Sequence, residues 1–355
     1  MKRFLGFLAV VVFLVVVILP ALLARGCVAP PSSPGGSRPA PSPAPGTAGE
    51  VTVNLLLCES DKLLRLPLET YVAGVVAAEM PASFSLEALK AQAVAARTYV
   101  LRRMREFGGP GCDRHAGADI CDDPTHGQAW VSGEELRRRL GFLGFYRLWA
   151  RVRRAADETR GMVVTCGGAL IDPVYHSTCA GHTEDAADVW GAPVAYLQGV
   201  ECKWDGHSPY SAPQRVVVSA GEVRLAFAGT PAAPATAGGV AGGGSAAAGG
   251  VTAGGDVPAA TKKSGTGRVL EFIVDGRRFS GVEVRARLHL RSTLFEAAPQ
   301  GGNVAFTVRG YGHGVGLCQY GADGWGQQGA TYMDILKHYY TGVEVVPWTA
   351  PARLP

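Results

Sequence analysis

One carboxylate closes an apolar run. The stretch VVAAEMPASFSLEALKAQAVAARTY, residues 75–99, holds two acidic and two basic side chains, Glu79, Glu87, Lys90 and Arg97. Leu68, Val72, Val75 and Glu79 recur at intervals of four, three and four. A helix stopped by Pro81 therefore carries Glu79 on its apolar stripe, at its C-terminal end. Burial disfavours a charged carboxyl, and so does the negative end of a helix. A carboxyl so placed titrates nearer to working pH, where it can both give and take a proton. Lys90 and Arg97 are seven residues apart, on one face of a second helix and ~10 Å apart along its axis. There they can hold anionic or hydroxyl groups. The plainer readings are a Glu79–Arg97 ion pair that fixes the two helices, and solvated charges at Lys90 and Arg97.

Two further stretches are rich in side chains that do chemistry. In YHSTCAGHTEDAADVWG, residues 175–191, His176, His182, Glu184 and Trp190 fall in one polar loop and are expected to line a cleft. The plainer reading for His176, His182 and Glu184 is a polar loop that holds itself together. In RGYGHGVGLCQYGADG, residues 309–324, glycines at 310, 312, 314 and 316 alternate with Tyr311, His313 and Val315. The spacing is wrong for a dinucleotide fingerprint, and no βαβ unit surrounds it. It reads as backbone passing close to something. His313, Gln319 and Tyr320 are candidates for substrate contact, with the alternative that His313 braces the glycine-rich turn. Trp190, Trp204, Tyr311 and Tyr320 offer ring faces on which a ligand can stack, although aromatics more often pack in cores.

The elements that position these groups read as an α+β fold with two early helices. Residues 51–57 alternate as a strand. A helix starts at Pro67, a residue suited to a first turn, and ends at Met80. A second starts behind Ser85 as N-cap, with Glu87 in its first turn, and runs to Gly108-Gly109. Leu89, Ala93, Ala96, Val100 and Met104 form its core stripe. A hairpin is expected around Gly167-Gly168, strands at 269–274, 281–290 and 303–308, and a short helix at 331–340.

The chain has 355 residues, 47% of them hydrophobic, with a net charge of +4. That is ample for a core, and the small charge argues against a nucleic-acid partner. Residues 4–24 carry no charge and follow Lys2 and Arg3. Residues 1–25 are therefore predicted to be a transmembrane signal anchor, with the rest of the chain outside the membrane. A cleaved signal peptide would have a shorter apolar core. A lipoprotein at Cys27 ranks lower, because Ala24 stands where Leu is usual. Residues 26–50, rich in Pro, Gly and Ser, read as a linker. Residues 51–349 read as one domain, interrupted at 229–261 by a low-complexity insertion that cannot order itself. The chain has eight cysteines. That number permits disulfides outside the membrane without implying a dense scaffold.

Taken in order, residues 75–99, 175–191 and the stretch GHGVGLCQYGADG resemble the stage II sporulation protein D family. The resemblance spans about 51–345, minus the insertion. It implies a membrane-anchored lytic transglycosylase acting on peptidoglycan glycan strands. Such an enzyme cuts the β-1,4 bond between N-acetylmuramic acid and N-acetylglucosamine and leaves a 1,6-anhydro end. The family's catalytic acid falls on Glu79, and its supporting basic residues on Lys90 and Arg97. A glycosidase ordinarily needs two carboxylates. This chemistry needs one, because the nucleophile is the substrate's own C6 hydroxyl. The implied partner is a membrane-anchored amidase or endopeptidase that strips stem peptides, and the implied setting is engulfment during sporulation. The rival reading is a non-enzymatic amidase enhancer or wall-binding activator of a cell-wall hydrolase, and a third is a wall-binding module with no activity. No cofactor is required for the reaction. Some family members carry structural zinc at His-x5-Cys-x5-Cys. Here His115 and Cys121 fit, Gly127 does not, and His126 or Cys112 can substitute. Cys179 and Cys202, in the matched region and bracketing the polar loop, are expected to form a disulfide.

Overall fold

The computed structural model describes residues 51–123, 125–228 and 259–350. The predicted anchor and linker lie outside them, as does the insertion apart from residues 259–261. None of the described helices is long and apolar enough to cross a membrane.

The chain enters as a hairpin, β1 (Thr52–Leu57) and β2 (Lys62–Pro67), and passes directly into α1 (Leu68–Glu79). α1 ends because Met80 is extended, at φ −123° and ψ 140°, the conformation that a following proline imposes. Ser85 caps α2 (Leu86–Arg103), its hydroxyl accepting from Ala88 N–H. The predicted stripe from Leu89 to Met104 is buried throughout. α2 stops at Arg103, earlier than its glycines suggested. Met104 turns extended, and a 3₁₀ turn at Arg105–Phe107 precedes Gly108. The loop that follows returns to β1 as the short parallel strand β3 (Ile120–Cys121).

α3 (Gly133–Glu158) is kinked at Gly141 and packs on both earlier helices. β4 (Met162–Cys166) and β5 (Ala169–Leu170) form the expected hairpin. β6 (Tyr175–His176) leads through the polar loop to the short helix α4 (Ala186–Trp190).

Next comes a second cluster of buried side chains, centred on Phe272, Phe295 and Phe306. It is built from β7 (Gln214–Ser219), α5 (Ala220–Phe227), β8 (Ala259–Lys263), β9 (Val269–Val274), β10 (Arg277–Ser280), α6 (Gly281–Arg287), β11 (Phe295–Gln300) and β12 (Asn303–Val308). The sheets run β10-β9-β8 and β11-β12-β7. Residues 281–287, predicted as a strand, are helical. Ser280 and Glu283 form a capping box, and that local signal outweighs the alternation of the residues after it.

The chain then returns to the first core through β13 (Leu317–Cys318), α7 (Gln319–Gln327), α8 (Tyr332–Tyr339) and β14 (Glu344–Pro347). β13 pairs in parallel with β6, setting Leu317 beside Tyr175 and Cys318 beside His176. The glycines before β13 allow this. All four have positive φ, and a Cβ at 310, 312, 314 or 316 would sit 2.3–2.8 Å from Thr178, His176, Arg268 or Val174 respectively. The backbone that this run passes so closely is largely that of β6 and its flanks.

Candidate functional site

α1 ends at the wall of a groove of about 510 Å³. Glu79 is the single carboxylate among the described residues that line it. The Ala129 N–H donates to its Oε1 at 3.0 Å, and the Tyr175 hydroxyl also donates to it. A buried chain of side chains orients that hydroxyl. Tyr71 donates to Gln128 Oε1 at 3.0 Å, and Gln128 Nε2 donates to the Tyr175 oxygen at 3.0 Å. With its oxygen so occupied, Tyr175 turns its proton toward Glu79. Burial raises the Glu79 pKa, the bonds from Ala129 and Tyr175 oppose it, and the net direction is upward. Its environment thus favours the acid form more than that of an ordinary glutamate.

His176, His313, Gln319 and Tyr320 line the same groove, together with Tyr210 and Tyr311. His176 donates from Nδ1 to the Val315 carbonyl at 3.1 Å, and burial holds its pKa well below the usual value. His313 donates from Nε2 to the Tyr175 carbonyl at 2.9 Å and accepts from Val315 N–H at Nδ1, 3.1 Å away. With both nitrogens engaged by backbone, and its pKa pushed down by burial to about 4, His313 is a neutral brace. Tyr311 is exposed and stacks on Tyr210 at 4.8 Å. Tyr320 meets Phe84 edge-on. Trp190 is exposed beside His313, with ring centres 5.4 Å apart. Trp204 instead stacks flat on Trp325 at 4.3 Å.

His182 and Glu184 line a neighbouring cavity with Arg268 and Thr266. Glu184 is buried, and the Thr266 hydroxyl donates to it.

Lys90 and Arg97 do share a helix face, but that face turns away from the groove. Lys90 is held by Glu87 at 2.8 Å and Glu158 at 2.7 Å. Arg97 is wholly buried, its guanidinium against Glu69. The Glu79–Arg97 ion pair considered from the sequence is therefore absent. α2 packs against both α1 and α3, and the carboxylates on its basic face are Glu69, Glu87 and Glu158.

The loop that supplies Gln128 and Ala129 carries a set of metal-ligating side chains. Donor atoms of Cys112, His115, Cys121 and His126 lie within 4.8 Å of one another. Cys112 Sγ is 3.2 Å from His115 Nδ1 and 3.8 Å from His126 Nδ1, and Cys121 Sγ is 3.1 Å from His126 Nδ1. Tetrahedral zinc would space sulfur and nitrogen ligands roughly 3.3–3.8 Å apart, so the set fits that ion. Burial lowers the His126 pKa and favours the neutral, ligating form. A Cβ on Gly127 would lie 2.0 Å from the Cys121 carbonyl oxygen. Position 127 thus has no room for a side chain, and Cys112 and His126 are the residues that join His115 and Cys121.

Cys179 and Cys202 are free thiols, so the expected disulfide is not formed. A third thiol, Cys318, and the Asp205 carboxylate share their site.

Sequence reading missed Tyr175, Gln128, Glu69 and Asp205. Tyr175 stood inside a quoted motif, but only the parallel pairing of β6 shows that its hydroxyl faces Glu79. Gln128 and Glu69 act through partners 47 and 28 residues away, and such pairings leave no local pattern.

Among known proteins, residues 59–166 match the family model described as Stage II sporulation protein. That span contains Glu79 and the Cys112–His126 cluster. The chain is 32% identical over 296 residues to Stage II sporulation protein D of Bacillus amyloliquefaciens, covering 83% of this chain and 78% of the relative. It is 32% identical over 299 residues to the protein of the same name from Bacillus subtilis (strain 168), covering 84% and 80%. Similarity extends, at 27% identity over 323 residues, to a Bacillus subtilis (strain 168) protein named Amidase enhancer, covering 78% of this chain and 40% of that one.

Proposed function

The chain belongs to the stage II sporulation protein D family, and from that premise we propose that it is a peptidoglycan lytic transglycosylase with Glu79 as its catalytic acid and base. The observation that carries this reading is the single carboxylate in the groove. Hydrolysis by two carboxylates needs a second one about 5–10 Å away. One carboxyl suffices when the substrate brings its own nucleophile.

Glu79 starts protonated and gives its proton to the glycosidic oxygen as the bond to the muramic C1 breaks. The Glu79 carboxylate then takes the proton of the muramic C6 hydroxyl as that oxygen bonds to C1. The products are a free N-acetylglucosamine end and a 1,6-anhydro end, and the enzyme returns to its starting form. The raised pKa supports the first step, and the bonds from Ala129 and Tyr175 support the carboxylate formed in it. Tyr311, Tyr320 and Trp190 present ring faces or edges for sugars along the groove and its rim. Lys90 and Arg97 act as positioning residues: Arg97 ties α2 to α1 and α3, and Lys90 ties α2 to α3.

Zinc at Cys112, His115, Cys121 and His126 belongs to the same proposal. It would cross-link the loop that carries Gln128 and Ala129, and so hold the two groups that aim and solvate Glu79. The chemistry remains that of the side chains. An anchor at 1–25 would set the groove outside the membrane, beside wall and a membrane-anchored amidase or endopeptidase.

Digestion of purified peptidoglycan, with product masses, tests the reading. A 1,6-anhydro product, lighter than the hydrolytic one by one water, is expected. The relative named Amidase enhancer favours a second reading, in which the domain activates a wall hydrolase without cutting glycan. Absence of any glycan product, with stimulation of an added amidase, would select that reading instead.

A further inference from the structure

A second buried cluster lies behind the groove. Cys179 follows β6, Cys202 and Asp205 lie in the loop before β7, and Cys318 ends β13 as the N-cap of α7. Each is at most 4% exposed, and one donor atom from each lies within 4.8 Å of the others. Asp205 Oδ2 is 3.2 Å from Cys179 Sγ and 3.9 Å from Cys318 Sγ. Sulfur and oxygen ligands of one tetrahedral zinc ion stand roughly 3.6–3.8 Å apart. Three thiols and one carboxylate, all buried, therefore stand close to the spacing of a closed structural site.

Burial raises the Cys318 thiol pKa, and hydrogen-bond donors around the sulfurs oppose it. Cys318 Sγ accepts from the N–H groups of Cys179 at 3.4 Å and Gly321 at 3.3 Å. The Tyr339 hydroxyl lies 3.1 Å from Cys202 Sγ. Backbone and hydroxyl donors aimed at sulfur favour its charged form, as does the N-terminus of α7. The buried Arg268 guanidinium adds positive charge, donating to the Cys179 carbonyl at 3.0 Å. Gly321 leaves room for the cluster. A Cβ there would sit 2.4 Å from Cys202 Sγ and 2.1 Å from the Tyr339 oxygen.

Asp205 discriminates between a metal and a disulfide. The carboxylate accepts from the Ala180 N–H at 2.7 Å, from the Gly181 N–H and, in the metal-free form, from the Cys179 thiol at 3.2 Å. No Lys, Arg or His forms an ion pair with it among the described residues. A buried carboxylate without a cation is costly. A disulfide would use two of the three sulfurs and leave the third thiol unused and this carboxylate without a cation. A divalent cation satisfies all four. Three thiolates with one carboxylate and no open position suit zinc in a structural role.

We propose that Cys179, Cys202, Asp205 and Cys318 bind a second structural zinc ion, separate from the Cys112–His126 set. It pins the segment carrying Tyr175, His176 and Ser177 to the one carrying Gln319 and Tyr320, fixing two walls of the groove.

Native mass spectrometry and elemental analysis of the full chain, purified without chelator, test this. Wild type should carry two zinc ions and Cys121→Ser one. Cys318→Ser should lose one ion relative to wild type, and the Cys121→Ser/Cys318→Ser double variant should carry none. Asp205→Asn, which keeps the side-chain shape, should bind its second zinc more weakly and release it first to a chelator. Should Cys318→Ser fail to fold, wild type and Cys121→Ser still decide. A Cys121→Ser protein that is folded and free of metal would overturn the proposal. So would a wild-type mass short of two hydrogens, with a peptide linking any two of Cys179, Cys202 and Cys318. These readouts are independent of glycan cleavage, so failure here and failure of the transglycosylase reading are distinguishable.

Discussion

The Arg97 guanidinium meets the Glu69 carboxylate at two points, 3.0 Å from Nε to Oε1 and 2.6 Å from Nη2 to Oε2. It also donates to the carbonyls of Met162 and Ala156, at 3.1 and 3.2 Å. One side chain on α2 thus ties together the start of α1, the end of α3 and the start of β4. Removing one partner of a buried pair leaves the other charge uncompensated, at about 3–5 kcal/mol. Glu69→Gln should therefore lower unfolding free energy by about that much, and activity should fall only with the folded fraction. Denaturant titration and digestion on one sample check both. Wild-type stability would show that the contact contributes little.

Glu79→Gln should have the opposite profile. Glutamine can keep the bond from Ala129 but cannot donate a proton as an acid does. General acid–base catalysis is worth about 10²–10⁴-fold, and turnover should fall by that factor. The raised pKa means that the folded state favours the neutral form of Glu79. That contribution is present below the unfolded pKa and is lost as pH rises through the folded one. At neutral pH the neutral amide should therefore leave the melting temperature unchanged or higher. A folded, fully active variant would remove Glu79 from the mechanism.

Tyr175 tunes that acid. Its hydrogen bond favours the Glu79 carboxylate and lowers the pKa against the larger effect of burial. Loss of the bond in Tyr175→Phe should raise the pKa further. Because the first step needs the protonated acid, the alkaline limb of the pH–kcat/KM profile should move to higher pH. A limb that stays in place, or moves down, would mean that Tyr175 does not touch the titrating group.

Local signals account for what could be read from the sequence. Pro81 and Ser85 mark the boundary between α1 and α2, the period of the apolar residues marks their buried faces, and Thr331 with Asp334 caps α8. The glycine run at 310–316 announced a close backbone approach, and β6 with its flanks is largely what it meets. The direction of a charged face was not legible. Lys90 and Arg97 have the spacing of a shared face whether it looks to a groove or to Glu158 and Glu69. α3 was missed because few of its residues are buried, so its apolar stripe is weak. The first cysteine cluster lies within one loop, and its residues could be named from their spacing, whereas the second draws ligands from segments that meet only in three dimensions, through β6 with β13.

Gly127 gives a test of the first cluster. Gly127→Cys would complete the His-x5-Cys-x5-Cys spacing on paper. In the fold, its Cβ would lie 2.0 Å from the Cys121 carbonyl oxygen, a distance that forces backbone to move. The variant should lose stability and metal, where a site waiting for that cysteine would gain both. Overpacking of this kind costs about 1–3 kcal/mol. Melting and zinc content, measured together, separate the two cases.

His313 should make the groove acid-sensitive. Its pKa falls from the usual 6.5 to about 4, first through burial and then through Arg285 and Arg268, with the bond to the Tyr175 carbonyl opposing. The neutral ring accepts from Val315 N–H at Nδ1, and a protonated ring cannot. A histidine with a depressed pKa contributes stability in full above its unfolded value, and this is lost as pH falls through the folded one. The window thus runs from pH 6.5 down to about 4, with a loss on the order of 3 kcal/mol. His176 shifts in the same direction. Glu79 opposes both, because its contribution grows as pH falls. The informative quantity is therefore the difference between His313→Gln and wild type, in which the other terms cancel. The variant should be less stable near pH 7, where it loses a tailored brace. The gap should close toward pH 4, where wild type has lost that contribution too. Unfolding free energies measured across this range should converge, and parallel curves would mean that the ring titrates as freely in the groove as in water.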